Sequence, residues 1–398
     1  MNNFTSSTDK KSQQPSECVV KPLSVMLLIS SLEYGGAERQ VVELTRNFDR
    51  AHVNPFICSL SSEVPLAKFL ENPERDLEIV EKKHKYDIST IWRVAKIMKH
   101  RKVDVVHALM FDAEMVARFA APLAKVPVLI CSERNSDYEV KRIKSILFRL
   151  TNRTCSGVIA NSHAGKDFYA KTFKYPANQI HVVYNGIDVN RFKPRIEAKQ
   201  ELRKQLDLPI DTPILGYVGS FKRQKRHDYF LRMARAILDQ EPNIHFVLVG
   251  APLSNDFDGS HAYSDEIKAL IEELDLMRHC HLLGAREDIE NAYNGFDIKV
   301  LTSSREGTPN VLLEAMSCGI PVIATDVADN SRIVKDGETG YIVHPGDINA
   351  LTDRALRLLR DSKLREQMSQ AGREHVTKEF SLGALVQKTE KVYRSYLH

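Results

Sequence analysis

The sequence has no apolar run approaching the ~18 residues that a membrane-spanning helix needs. Its first 17 residues, rich in Ser, Gln, Asn and Lys, contain no apolar core, which excludes a signal peptide of the usual kind. Segment 1–20 is expected to be disordered, because it offers too little apolar surface to offset the entropy of ordering. Six cysteines (Cys18, Cys58, Cys131, Cys155, Cys280 and Cys318) form no C-x-x-C pair and no metal-ligand spacing. Most lie in or beside apolar runs, as buried free thiols of a reducing compartment do. A cytoplasmic protein is the expectation. Charge of one sign is also scarce. The formal net charge is +4, too small to argue for nucleic acid. The small excess belongs to the first half: residues 1–190 hold 27 Lys and Arg against 21 Asp and Glu, whereas 191–398 hold 29 against 31. No D-x-D pair stands where a metal-bridged diphosphate would need it. Asp256-Phe257-Asp258 falls in a long polar insertion after a strand.

What is present is alternation. A chain of 398 residues fits two domains of about 180 residues better than one core. Short apolar runs alternate with helical patterns throughout, the pattern of parallel sheets with crossover helices. Strands are predicted in the first half at Ser24–Ser30, Asn54–Leu60, Val103–His107, Val128–Ser132, Gly157–Asn161 and His181–Tyr184. In the second half they fall at Ile214–Gly219, His245–Gly250, His281–Gly284, Asp297–Leu301, Pro321–Ala324 and Gly340–Val343. Asn185-Gly186-Ile187-Asp188 is a turn signal where the first sheet ends. Residues 191–205 read as a charged connector. The fold class is α/β, with a doubly wound domain over 21–190 and a second over 191–381. Ligands of such sheets sit beyond the carboxyl ends of the strands, so candidate residues should follow strands directly.

The most specific stretch does so. Glu306, Gly307, Thr308, Pro309, Asn310, Val311 and, after two leucines, Glu314 place two carboxylates eight positions apart. The run reads as a strand, a loop carrying Glu306, and a helix opening at Pro309, where a missing N–H is tolerated. The open end of that helix is a seat for phosphate. A carboxylate on each side of an anion site suits a ligand with hydroxyls at both ends and phosphate between, as in a sugar nucleotide. Gly35-Gly36-Ala37-Glu38 follows the first strand and opens a helix, so a ligand can approach the backbone closely there. His107 ends a strand, Glu133-Arg134-Asn135 follows the next, and Gly219-Ser220-Phe221-Lys222-Arg223-Gln224-Lys225 follows the first strand of the second half. Arg286 follows the strand that ends at Gly284.

These motifs resemble the retaining glycosyltransferases of family 4, and the resemblance covers nearly everything from about residue 22 onward. It implies the GT-B architecture: two facing Rossmann-like domains with a cleft between them and a last helix, about 382–398, that crosses back to the first domain. It implies that Glu306 holds the donor sugar and Glu314 the nucleotide ribose, while amides from Gly307 to Val311 approach sugar and diphosphate. Gly35 and Gly36 would contact donor phosphate and acceptor. His107 would sit near the reacting centre. Glu133, Arg134 and Asn135 would face the acceptor. Lys225 matches a family lysine that neutralises the diphosphate. Ser220 stands where the family often has arginine, with Lys222 as its replacement, and Arg286 would line the nucleotide pocket. The catalytic group would be His107, Glu306 and Lys225. No metal and no cofactor are implied beyond the nucleotide-sugar co-substrate, for which the Gly307–Asn310 insert points to UDP-hexose or UDP-N-acetylhexosamine. The acceptor would be a glycan or lipid-linked saccharide, in polysaccharide or lipopolysaccharide biosynthesis. A nucleotide-sugar epimerase of the same architecture, or a non-catalytic sugar-binding protein, are the competing readings.

One segment admits two uses. Tyr138–Thr154 has a helical pattern with Val140, Ile143, Ile146, Leu147 and Leu150 on one face and Lys141, Arg142, Lys144, Arg149 and Arg153 on the other. Such a helix lies against an anionic bilayer, or buries its apolar face in the domain core with a solvated basic rim.

Overall fold

The computed structural model describes residues 21–84, 87–134, 140–252 and 259–397. Segment 1–20, Asn135, Tyr138 and the Asp256–Asp258 pair lie outside them. Seven strands form the first sheet: β1 (Leu23–Ile29), β2 (Val53–Ser59), β3 (Leu77–Ile79), β4 (Val105–Leu109), β5 (Val128–Glu133), β6 (Gly157–Ala160) and β7 (Ile180–Val182). Their order is β3-β2-β1-β4-β5-β6-β7. Six form the second: β8 (Ile214–Val218), β9 (His245–Val249), β10 (Cys280–Leu282), β11 (Ile298–Leu301), β12 (Val322–Thr325) and β13 (Gly340–Val343). Their order is β10-β9-β8-β11-β12-β13. All these pairings are parallel. Helices on both faces explain why a central strand such as Val25–Ile29 is apolar at every position and wholly buried.

Both sheets reverse direction of growth at one place, between β1 and β4 and between β8 and β11. Those are the switch points at which open α/β sheets present a crevice. The predicted strands recur with two differences. The edge strand Leu77–Ile79 is three residues long and carries no apolar run to announce it. The fourth strand runs Val105–Leu109 rather than 103–107, so His107 is at its centre instead of its end.

The last helix, Leu382–Arg394, returns to the first domain, where Leu385, Val386, Val392 and Tyr393 join the core beside β1 and β4. Two chain crossings are sewn together: the Ile187 N–H donates to Phe380 O and the Leu382 N–H to Ile187 O, at 2.8 and 3.1 Å.

Across the cleft, Asp329 of the second domain is 1% exposed. Its carboxylate accepts from the N–H groups of His163 and Ala164, at 2.6 and 3.0 Å, at the start of the His163–Phe173 helix. It also accepts from the Tyr184 hydroxyl at 2.6 Å. Charge-assisted bonds to a helix N-terminus are among the stronger contacts available between two domains. Asp329→Asn keeps the shape and removes the charge. It should weaken closure by about 1.5–3 kcal/mol and enlarge the radius of gyration in small-angle scattering. An unchanged scattering curve would show that other contacts hold the domains together.

Candidate active site

Residues following β8 and β11 meet at the second switch point. The turn after β8 is held from below: the Tyr217 hydroxyl donates to Lys225 O at 2.6 Å, and Thr302 donates to Arg226 O at 2.7 Å. This aims the Lys225 ammonium at Glu306, with Nζ and Oε1 2.5 Å apart. The same carboxylate oxygen accepts from the Ser303 hydroxyl at 2.6 Å. Both side chains are largely screened, at 15% and 7% exposure, so the pair acts in a medium less polar than water. Lys222 and Ser220 share that turn, the Lys222 N–H donating to Ser220 O at 2.8 Å.

The helix of the carboxylate motif runs Asn310–Ser317, with Pro309 as its N-cap rather than its first residue. Glu314 lies one turn in and accepts from the Tyr293 hydroxyl at 2.7 Å. Burial pushes its carboxyl above the usual carboxylate range, against the pull of Tyr293, Arg39, Arg191 and Lys299. Arg39 comes from the helix that Gly35 and Gly36 open, so the first domain reaches Glu314 electrostatically. A Cβ on Gly35 would strike the Glu38 carboxylate at 2.1 Å, whereas one on Gly36 would meet nothing within 4 Å. A side chain at 35 would require the flexible Glu38 carboxylate to swing aside, and at 36 there is open space.

The loop between the two glutamates touches the opposite domain. Thr308 Oγ1 donates to Asn161 O. Asn185 Nδ2 donates to Asn310 Oδ1 at 2.9 Å, and Asn185 Oδ1 accepts from Arg134 at 3.2 Å. A Cβ on Gly307 would come within 3.3 Å of Arg134 O, a tight approach to the opposite domain. Beside this contact a cavity of about 470 Å³ opens between Glu306, Arg305 and Ser304 on one side and Ala164, Phe168 and Lys171 on the other. Arg134 is lowered to about 10 by burial despite Tyr393, Glu38 and Glu133 nearby. Glu133 is buried and accepts from the Arg134 N–H at 2.9 Å.

Two expected site residues are engaged with partners outside the motif. His107 is 1% exposed, and both ring nitrogens are engaged, Nδ1 with Tyr393 Oη at 2.7 Å and Nε2 with Ser132 Oγ at 2.9 Å. It ties β4 to β5 and to the returning helix, with Arg134 among its charged neighbours. Arg286 pairs with Asp288 at 2.7 Å and Gln205 at 2.9 Å, neither of which belongs to the motif. Residues that sequence reasoning passed over are Asn161, Asn185, Tyr217, Tyr293, Lys299 and Asp329. Asp329 had a signal, since it follows a strand. Lys299 had another: one charge inside an apolar strand.

Two family models match this chain. "Glycosyltransferase Family 4" matches residues 34–191 and "Glycosyl transferases group 1" matches 198–375. The chain belongs to the group 1, family 4 glycosyltransferases. Its curated relatives include the UDP-Gal:alpha-D-GlcNAc-diphosphoundecaprenol alpha-1,3-galactosyltransferase of Escherichia coli, 27% identical over 77% of this chain and 79% of that one. Another is the N-acetyl-alpha-D-glucosaminyl L-malate synthase of Bacillus anthracis, 25% identical over 78% and 80%. Among solved structures, Anabaena HepE in complex with UDP superposes with a TM-score of 0.82 at 21% identity, covering 94% of this chain and all of HepE. A glycosyltransferase from Rickettsia africae gives 0.82 at 20%, covering 95% and 99%. The fold is GT-B.

Burial and the nearby Arg134 lower His107 to about 3. It therefore stays neutral through the ordinary working range. Because that value lies below the unfolded one near 6.5, the unfolded chain takes up the proton first. His107 thus subtracts stability as pH falls below about 6.5, by at most ~1.4 kcal/mol per pH unit. His107→Asn should lower turnover without changing the shape of the pH–rate profile between pH 5.5 and 8. Loss of an acid limb in the variant would mean that the imidazole titrates at the reacting centre.

Proposed function

We propose that this protein is a retaining, metal-independent glycosyltransferase. It moves a hexose or N-acetylhexosamine from a UDP-linked donor to a lipid-linked or polymeric saccharide. The observation that carries the reading is the Lys225–Glu306 pair at 2.5 Å at a sheet switch point, on the loop that leads into the helix carrying Glu314. An epimerase would need no acceptor side, and a pure binder would need no cation poised at the carboxylate. The Escherichia coli relative, by its name, takes UDP-Gal and a diphosphoundecaprenol-linked acceptor, and the HepE structure holds UDP. Both support the donor and acceptor class.

In this reading Glu314 receives ribose hydroxyls and Glu306 a sugar hydroxyl. Lys225, Lys222 and the N–H groups that open the Asn310 helix receive the diphosphate. Departure of the diphosphate breaks the anomeric C–O bond and concentrates negative charge where these donors already point. Stabilisation of that kind needs no reorganisation at the moment of reaction. The acceptor hydroxyl attacks on the same face, and its proton passes to the leaving phosphate oxygen. The closed cleft, bonded through Thr308, Asn310 and Asp329, keeps water from the donor. Glu314→Ala should weaken free UDP by about tenfold, the loss of a charge-assisted bond. Glu306→Ala should leave UDP affinity near wild type and reduce turnover by about 100-fold. Calorimetry with UDP and a transfer assay separate the two. Equal effects on UDP would overturn the division of roles.

A second observation favours a membrane-bound acceptor. The helix observed at Arg142–Thr151 buries only Phe148. Its apolar stripe is turned outward, with Ile143 67%, Ile146 45%, Leu147 38% and Leu150 75% exposed. Of the predicted stripe, only Val140 packs against the core. Lys141, Arg142, Lys144 and Arg149 flank the stripe, which suits an anionic bilayer. Leu150→Asp should reduce co-sedimentation with vesicles of mixed neutral and anionic lipid by about tenfold, with UDP binding unchanged. Equal recovery of variant and wild type would remove this helix as the anchor.

A further inference from the structure

Pairing between β8 and β11 stops early. It joins Ile298 to Leu215 and Lys299 to Gly216 and goes no further. The outer neighbours stay paired to the ends of the strands, β9 to Val218 and β12 to Leu301. The sheet therefore splits at its switch point, directly beneath the Lys225–Glu306 pair. One side chain stands in the split. Lys299 is fully buried, and its ammonium donates to Val300 O at 2.7 Å. It lies 5.1 Å from the centre of the Tyr217 ring. Among the described residues no carboxylate is within bonding distance of it, and a buried ammonium with a single acceptor is costly.

The groups that face it come from every element around the split: Tyr217 on β8, Lys225 on the turn after it, His227 on the next helix, Glu306 after β11 and Glu314 on the motif helix. Tyr217 and His227 are held neutral by burial, the hydroxyl pushed up and the imidazole lowered to about 3. Lys225 is committed to Glu306. A nucleoside diphosphate arriving above the split adds negative charge that Lys225 meets only while sharing its ammonium with Glu306; beneath them Lys299 is fully buried with no carboxylate partner among the described residues.

We propose that Lys299 is a positioning residue of the donor site, a buried amine that takes a proton from solvent when the diphosphate of the donor binds and thereby balances its charge from below the sheet edge. The inference rests on the nucleotide-sugar reading above. Burial, aided by Lys225 and opposed by Glu306 and Glu314, lowers Lys299 to about 7 in the empty site. The neutral amine is then within reach near neutral pH. Added negative charge shifts that balance toward the ammonium. Linkage gives the sign: the ligand prefers the protonated form, so affinity is highest below pH 7. It falls above that by at most tenfold per pH unit until the pH exceeds the bound-state value.

The test is UDP affinity by calorimetry from pH 6 to 8.5, in two buffers of different ionisation enthalpy, for wild type and Lys299→Met. Titration of UDP itself is common to both proteins and cancels in the comparison. At pH 6 the variant should bind UDP about tenfold more weakly. The gap should shrink above pH 7.5, and wild type alone should show extra proton uptake on binding. A merely structural lysine would shift affinity by the same factor at every pH. Should Lys299→Met fail to fold, Lys299→Gln keeps one donor for Val300 O and serves the same comparison. Parallel pH profiles with equal proton uptake overturn the inference and leave the nucleotide reading standing. Failure of wild type to bind UDP at any pH overturns both.

Discussion

The amide of Asn185 is bonded at both ends, and the cleft depends on it. One end accepts from Arg134, in the first domain, and the other donates to Asn310, at the start of the motif helix. The turn that carries it is fastened on further sides. Gly186 exchanges bonds with Gln40 at 3.0 and 3.1 Å, and Ile187 pairs with Phe380 and Leu382. A Cβ on Gly186 would lie 2.8 Å from Leu385, so only glycine lets the returning helix close on the turn. The connection between the domains and the floor of the cleft are therefore one piece of chain. A rotation of one domain against the other must pass through the residues that place Asn310, and with it the N–H groups of the motif helix.

Charge inside this cleft is arranged rather than merely present. Glu306 has a cation at contact distance, whereas Glu314 has a neutral hydroxyl and only distant arginines. The ammonium fixes the charge and position of the Glu306 carboxylate, while Glu314, held by one phenol, would keep more acceptor capacity for the ribose hydroxyls of the proposed donor. The asymmetry follows from position: Glu306 rides a loop that reaches the β8 turn, while Glu314 is fixed on a helix against Tyr293. It favours different tasks for two residues of the same type.

Much of this was legible in the sequence, and the parts that were not have a common cause. Parallel strands with apolar residues on both faces announce themselves, so most of the thirteen strands and both sheets followed from the pattern. Leu77–Ile79 did not, because three residues at a sheet edge carry no pattern. The Glu306–Glu314 run could be read because its residue types are unusual for their place. Asn185, Asn161 and Asp329 act only when two domains face each other, and no local spacing encodes that. The strand carrying His107 was placed two residues early. A shift of two moves the side chain from the strand's end to its middle, with no change of face.

The outward stripe on the Arg142–Thr151 helix bears on how an acceptor could be met. Arg134, in the cleft, and Arg142, at the start of that helix, are eight residues apart in the chain. Even fully extended, such a link spans at most about 28 Å. A bilayer lying against Ile143, Ile146 and Leu150 is thus tied to the neighbourhood of Glu133 and Arg134 by covalent geometry, whatever path the link takes. A saccharide on a membrane anchor reaches that distance with a few sugar units and a diphosphate. A free small acceptor gains nothing from the arrangement. Under the proposed reading, the stripe lies on the domain of Arg134 and not on that of Glu306 and Glu314, so a donor from solution and an acceptor from a surface would approach from different sides.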